Sequence, residues 1–178
     1  MWTYCQTDLT QYMRIFLIGP MGSGKTTVGA ALAKRLQLPF VDLDRHVEQR
    51  EGDTISILFQ RYGEEYFRQC ESDVLHAIIQ STSSAIIATG GGTPCFHNNM
   101  TLMNAAGITI YLQCAIEKLQ TRTAGTSDER PILLQPDFSL ENLLKIREPE
   151  YTKAQHTLSN DATITSTVDA ILELLKTR

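Results

Sequence analysis

A chain that carries Gly19-Pro20-Met21-Gly22-Ser23-Gly24-Lys25-Thr26 between a short apolar run and an amphipathic stretch has few folds open to it. The eight residues fit the pattern G-x-x-x-x-G-K-[ST], in which a glycine-rich loop turns its backbone N–H groups toward a chain of phosphates. Lys25 brings a mobile cation to the β- and γ-phosphates, and the Thr26 hydroxyl is a ligand for Mg2+. By chance the four fixed positions would turn up in about one chain in a hundred of this size, so the flanks decide. Upstream, residues 13–18 read as a buried strand; downstream, residues 27–36 read as a helix. Strand, loop and helix in that order set a helix N-terminus against the phosphates. The expected nucleotide contacts are Gly22, Ser23, Gly24, Lys25, Thr26 and Thr27.

The remaining chain continues the alternation. Phe40-Val41-Asp42-Leu43-Asp44 reads as a second strand whose pleat turns Asp42 and Asp44 to one side. A helix from Arg45 to Glu51 follows. Thr54 caps a short helix that stops at Gly63, and Glu64-Glu65 open a longer one with Phe67, Cys70, Val74 and Ile78 along its apolar stripe. Residues 84–89 form a third strand that runs into Gly90-Gly91-Gly92, a sign that a ligand or another backbone comes very close. A helix over 97–106, a strand over 107–113 and a helix over 115–123 come next. Residues 123–137 have the composition of a lid loop, and 139–155 are helical with an interruption at Pro149. For a fifth strand the pattern prefers Ala162–Thr165 over His156–Asn160. Val168, Ile171, Leu172 and Leu175 mark a closing helix. Alternating strands and helices imply a parallel sheet covered on both faces, a three-layer α/β/α domain.

The totals narrow the function. At 178 residues the chain suits one domain, and a net charge of −4 does not support a broad basic surface for nucleic acid. Four scattered cysteines without a C-x-x-C pair read as reduced thiols. No run has the length of a membrane helix, so a cytoplasmic address is expected, with no membrane partner. Residues 1–12 precede the first strand without periodicity and are expected to be a dispensable tail before a domain over 13–178.

Without an Asn-Lys-x-Asp motif, an Asp-x-x-Gly switch or a separate apolar strand ending in an acidic pair of the kind ATPases use to position water, the chemistry left is transfer of a γ-phosphoryl group to a small acceptor. Asp42 is the expected partner of Thr26 at Mg2+, and Asp44 the group that takes the acceptor's proton, although an Asp here could simply cap the following helix. Arg147 shares a helical stripe with Leu140, Leu143, Leu144 and Tyr151, so it turns inward and either pairs with a core carboxylate or awaits an anionic ligand. Spacing gives Arg68 an ordinary surface ion pair with Glu64 or Glu71. Arg130 in the lid could swing over the phosphates, and Arg122 could stack on adenine; both could equally be solvated charges. A gluconate or nucleoside monophosphate kinase, or a nucleotide-binding module without turnover, would share many of these features.

Six blocks taken together go further: Gly19–Gly29, Val41–Asp44, Gly63–Arg68 with Glu71, Gly90–Gly92, Arg130–Leu133 and Arg147–Tyr151. In order and spacing they resemble shikimate kinases, from Met13 to the C-terminus. The resemblance implies a P-loop kinase fold with a five-stranded parallel sheet, a substrate-binding segment at about 45–75 and a mobile lid at about 123–137. It implies ATP-dependent phosphorylation of the 3-hydroxyl of shikimate on the way to chorismate and aromatic amino acids, by an enzyme expected to be monomeric. It also implies that Asp44, Arg68, Gly91 and Arg147 contact shikimate, that Lys25 and Arg130 neutralise the phosphates, and that Thr26 and Asp42 form the Mg2+ site. Two positions depart from the family pattern, Ile132 and Glu150, and neither removes a ligand. By resemblance the fifth strand falls at His156–Asn160, against the pattern.

Overall fold

The computed structural model describes residues 13–124 and 139–177. The tail 1–12, Arg130 and all of the expected lid beyond Ala124 lie outside the described residues. Strand β1, Arg14–Ile18, is the centre of a parallel sheet and is buried from Ile15 onward, as a continuous apolar run requires when both faces are covered. It pairs with β3, Ala85–Ala88, on one side and with β4, Ile108–Gln113, on the other. β2, Phe40–Asp42, lies outside β3, and β5, His156–Ser159, lies outside β4. The order β2-β3-β1-β4-β5 completes a five-stranded sheet.

Alternation along β1 divides the core in two. Ile15 and Leu17 face helices α1, Lys25–Leu36, and α7, Ile164–Lys176, where they meet Val28, Leu32, Val168 and Ile171. Phe16 and Ile18 face the opposite layer. There α3, Ile55–Ser81, α4, Asn99–Ala106, and α6, Leu140–Tyr151, contribute Leu75, Met103 and Tyr151. The register sets Asp42 beside Ala88, and Ala88 beside Leu17, so three loops leave the sheet at one edge. Ligands of open α/β sheets bind beyond this carboxyl edge.

Three local expectations need correction. β2 ends at Asp42, which caps helix α2, Leu43–Glu51, by accepting from the Arg45 N–H; Asp44 therefore stands in the first helical turn, not on a strand. The acidic pair is therefore not set by strand alternation, yet both carboxylates line the same cavities. The last strand is β5 at His156, not Ala162–Thr165, because Thr163 caps α7 through the Ser166 N–H and turns that segment into a helix start. The helix expected from His97 begins at Asn99, after a 3-10 turn at Thr93–Cys95 and two residues of positive φ, His97 and Asn98. The break at Gly63 is present as a kink inside α3.

Candidate active site

The loop between β1 and α1 brings Lys25 back over its own start. The ammonium donates to the carbonyls of Gly19 at 2.9 Å and Pro20 at 2.7 Å, and the side chain is buried. Beside it a cavity of about 390 Å3 is lined by Gly22, Gly24, Thr26, Thr27, Arg122 and Asn160, among others. Arg122, on α5, Ile116–Thr123, donates to the Gly22 carbonyl at 3.2 Å, which fixes its position on the cavity wall. Ser23 is buried and is not part of that wall, and among the described residues its hydroxyl has no hydrogen-bond partner.

A second cavity of about 530 Å3 adjoins the first, and Thr26, Asp42, Asp44 and Gly91 line both. Its wall also includes Glu48, Phe59, Phe67, Arg68, Glu71 and Arg147. The Thr26 hydroxyl donates to Asp42 Oδ2 at 3.0 Å, so two hard oxygen donors already sit together where the cavities meet. Among the described residues no cluster of three or more His, Cys, Asp or Glu side chains could hold a metal by itself. A cation here would depend on phosphate oxygens and water for its other ligands, the manner in which Mg2+ is usually held.

Arg68 departs from its expected surface position. It is 5% exposed and still makes both expected pairs, Nε and Nη2 with Glu64 Oε1 at 3.1 and 3.0 Å and Nη1 with Glu71 Oε2 at 2.9 Å. The rings of Phe96 and Phe67 lie 4.6 and 4.9 Å from the guanidinium. Glu71 is fully buried and also accepts from the Thr93 hydroxyl. The three glycines are explained by this packing: a Cβ on Gly90 would strike the Glu71 and Asp44 carboxylates, one on Gly92 the Arg68 guanidinium at 2.5 Å, and one on Gly91 would press on the Met21 backbone at 3.2 Å.

Arg147 is 6% exposed and makes no ion pair among the described residues. One turn on, Tyr151 donates its hydroxyl to the Gly91 carbonyl at 2.5 Å, tying the end of α6 to the triple-glycine turn. Burial pushes the Tyr151 phenol well above its ordinary range, with Arg147 opposing the shift, so it remains a donor. The cavities thus gather Gly22, Gly24, Lys25, Thr26, Thr27, Asp42, Asp44, Arg68, Gly91, Arg122 and Arg147, while Ser23 stands behind the wall and Arg130 lies outside the described residues. Sequence reasoning missed Asn160 and the aromatic surround of Arg68. A strand placed at 162–165 hid the signal for Asn160, a polar residue directly after a strand's carboxyl end.

A family model described as shikimate kinase matches residues 21–176. The shikimate kinase of Azobacteroides pseudotrichonymphae is 45% identical over 147 residues, 79% of this chain and 86% of that protein. The crystal structure of shikimate kinase from Bacteroides thetaiotaomicron superposes with a TM-score of 0.84 at 40% identity, covering 92% of this chain and 98% of that one. Shikimate kinase from Acinetobacter baumannii, in complex with shikimate, gives 0.88 at 35% identity, covering 94% and 95%. With its phosphate loop, acidic pair and buried guanidinium groups in one continuous hollow, the chain belongs to the shikimate kinase family.

Proposed function

We infer that this chain transfers the γ-phosphoryl group of ATP to the 3-hydroxyl of shikimate, giving shikimate 3-phosphate and ADP in the pathway to chorismate and aromatic amino acids. The observation that carries the reading is Arg147, a buried guanidinium with no carboxylate partner among the described residues, on the wall of a cavity that adjoins the phosphate loop. A buried Arg without an anion is unfavourable, and a carboxylated acceptor supplies one.

In this reading the smaller cavity takes the nucleotide and the larger takes shikimate. Lys25 leaves the Gly19 and Pro20 carbonyls for the phosphates, and Arg122 lies against the adenine. Thr26 and Asp42 fit Mg2+, which would neutralise the phosphate oxygens when bound. Arg68 and Arg147 hold the acceptor's carboxylate and Gly91 borders its ring, which leaves the 3-hydroxyl for Asp44. Asp44 accepts the hydroxyl proton as the oxygen attacks the γ-phosphorus and the bond to the β-phosphate oxygen breaks. Arg130 is the proposed lid cation for the transferring group. The enzyme acts as a cytoplasmic monomer, and residues 1–12 are dispensable for turnover. Among the described residues no helix is long and apolar enough to cross a membrane.

The test is ADP release with shikimate, gluconate and AMP offered separately. Turnover with shikimate alone is expected; equal release with gluconate or AMP would overturn the acceptor assignment. Lys25→Ala is expected to lose turnover. Arg147→Ala is expected to weaken shikimate binding by roughly 2–5 kcal/mol, and wild-type affinity in that variant would remove Arg147 from the site.

A further inference from the structure

A peptide unit is a rigid plane whose C=O and N–H point in opposite directions. Whatever holds the carbonyl of Ser23 therefore also aims the N–H of Gly24, one of the donors a phosphate loop offers its ligand. That carbonyl is held from the far end of the chain. Asn160, 3% exposed at the carboxyl end of β5, donates from Nδ2 to the Ser23 oxygen at 2.5 Å across 137 positions of sequence.

The side chain of Asn160 cannot turn over without loss. Its Oδ1 accepts from the Thr167 hydroxyl at 2.7 Å, and Thr167, 3% exposed on α7, is itself buried. With the oxygen engaged there, the nitrogen is the end that meets Ser23. The Asn160 backbone N–H donates to the Gln113 carbonyl at 2.7 Å, which ties the same residue to the end of β4. Contact with the loop is tight: a Cβ on Gly24, which has φ 88°, would lie 2.7 Å from Asn160 Nδ2.

We propose that Asn160 is a positioning residue for the nucleotide phosphates, turning the Ser23–Gly24 peptide so that the Gly24 amide faces the phosphate cavity. Thr167 sets the amide of Asn160, and Asn160 sets the loop. The proposal rests on the reading of this cavity as the ATP site.

Three variants test it: Asn160→Asp, which keeps the shape but turns an acceptor toward the Ser23 carbonyl; Asn160→Ala, which removes the donor; and Thr167→Val, which leaves Asn160 in place but frees its amide to turn over. ADP binding is measured by calorimetry without acceptor, KM for ATP and for shikimate by steady-state turnover, and folding by thermal melts. Asn160→Asp is expected to weaken ADP and raise the KM for ATP by about tenfold or more, the size of one lost buried hydrogen bond, with the KM for shikimate within about twofold of wild type. Thr167→Val is expected to shift the same two quantities by less, and it carries the test should either Asn160 variant fail to fold. Parallel rises in both KM values, or a lowered melting temperature with unchanged ADP affinity, would reduce Asn160 to a structural brace. Wild-type protein that binds ADP but does not phosphorylate shikimate would refute the functional reading and leave this comparison intact.

Discussion

Arg68 shows how a residue can be buried, fully charged and still available. Burial disfavours its charge, but Glu71 and Glu64 outweigh that and raise its pKa above the ordinary value. Three of its five N–H donors go to those carboxylates, which leaves two for a ligand. Removing one partner of a buried pair leaves a charge uncompensated. Glu71→Gln keeps the shape and removes the charge, so it is expected to cost about 3 kcal/mol, the lower end for such pairs because Glu64 remains, and to raise the KM for shikimate. Denaturant melts and steady-state kinetics check both; an unmoved melt would mean that Glu64 alone suffices. Cys95 gives a pH dependence of known sign. Burial pushes its thiol up to about 11, whereas in an unfolded chain a thiol titrates near 8.5. Between those values the unfolded state binds fewer protons than the folded one, so stability falls as pH climbs through that window. Melting temperatures across that range should fall less steeply in Cys95→Ala than in wild type. An equal slope would show that the Cys95 thiol is not responsible.

At the scale of the element, α3 stands out because two parts of one helical run line the same cavity. Ile55 and Phe59 come from its first part, and Phe67, Arg68 and Glu71 from its second. A straight helix would spread these residues around more than half its circumference; the kink at Gly63, with φ 83° and ψ 172°, turns the two parts toward each other. That conformation belongs almost entirely to glycine. Since a Cβ there would meet nothing within 4 Å, the loss in Gly63→Ala is backbone strain alone, about 1–3 kcal/mol. The variant should melt about 2–4 °C lower for each kcal/mol lost and show a raised KM for shikimate with the KM for ATP unmoved. A lower melt with both KM values unchanged would show that the kink serves stability rather than the cavity. This break was legible in the sequence, since Thr54 opens the helix and Gly63 interrupts it. The end of β2 was not, because Asp42 is equally good as a strand residue and as a helix cap, and only the fold decides between them. β5 was obscured for a related reason: an edge strand of His-Thr-Leu-Ser, alternately half-buried and exposed, carries less apolar signal than the helix start that follows it.

For the whole molecule, the sheet separates two tasks. Its carboxyl edge holds the phosphate loop, the acidic pair and the glycine turn, each of which announces itself in sequence because chemistry restricts the residue types it can use. What holds these parts in register was harder to read, since Asn160 and Ser23, or Phe96 and Arg68, meet only after the chain has folded and no local spacing encodes the meeting. The amino edge has such a device too. Arg14, at the start of β1, donates from Nε to the Thr82 carbonyl at 2.6 Å, from Nη1 to Ala106 at 3.0 Å and from Nη2 to Ile79 at 3.0 Å. Those carbonyls end α3 and α4, where the helix dipole favours a cation and the last carbonyls lack helical partners. One guanidinium thereby fastens two helices of one layer to the central strand. Arg14→Met keeps much of the stem and removes the donors, and hydrogen bonds to a charged group make the expected loss about 3 kcal/mol. For a domain of this size that lowers the melting temperature by roughly 6–12 °C. Because the clamp lies at the edge of the sheet away from both cavities, the KM values for ATP and shikimate measured well below the transition should match wild type. A raised KM for shikimate with the KM for ATP unmoved would show that the spacing of α3 and α4 at the amino edge is transmitted along α3 to Arg68.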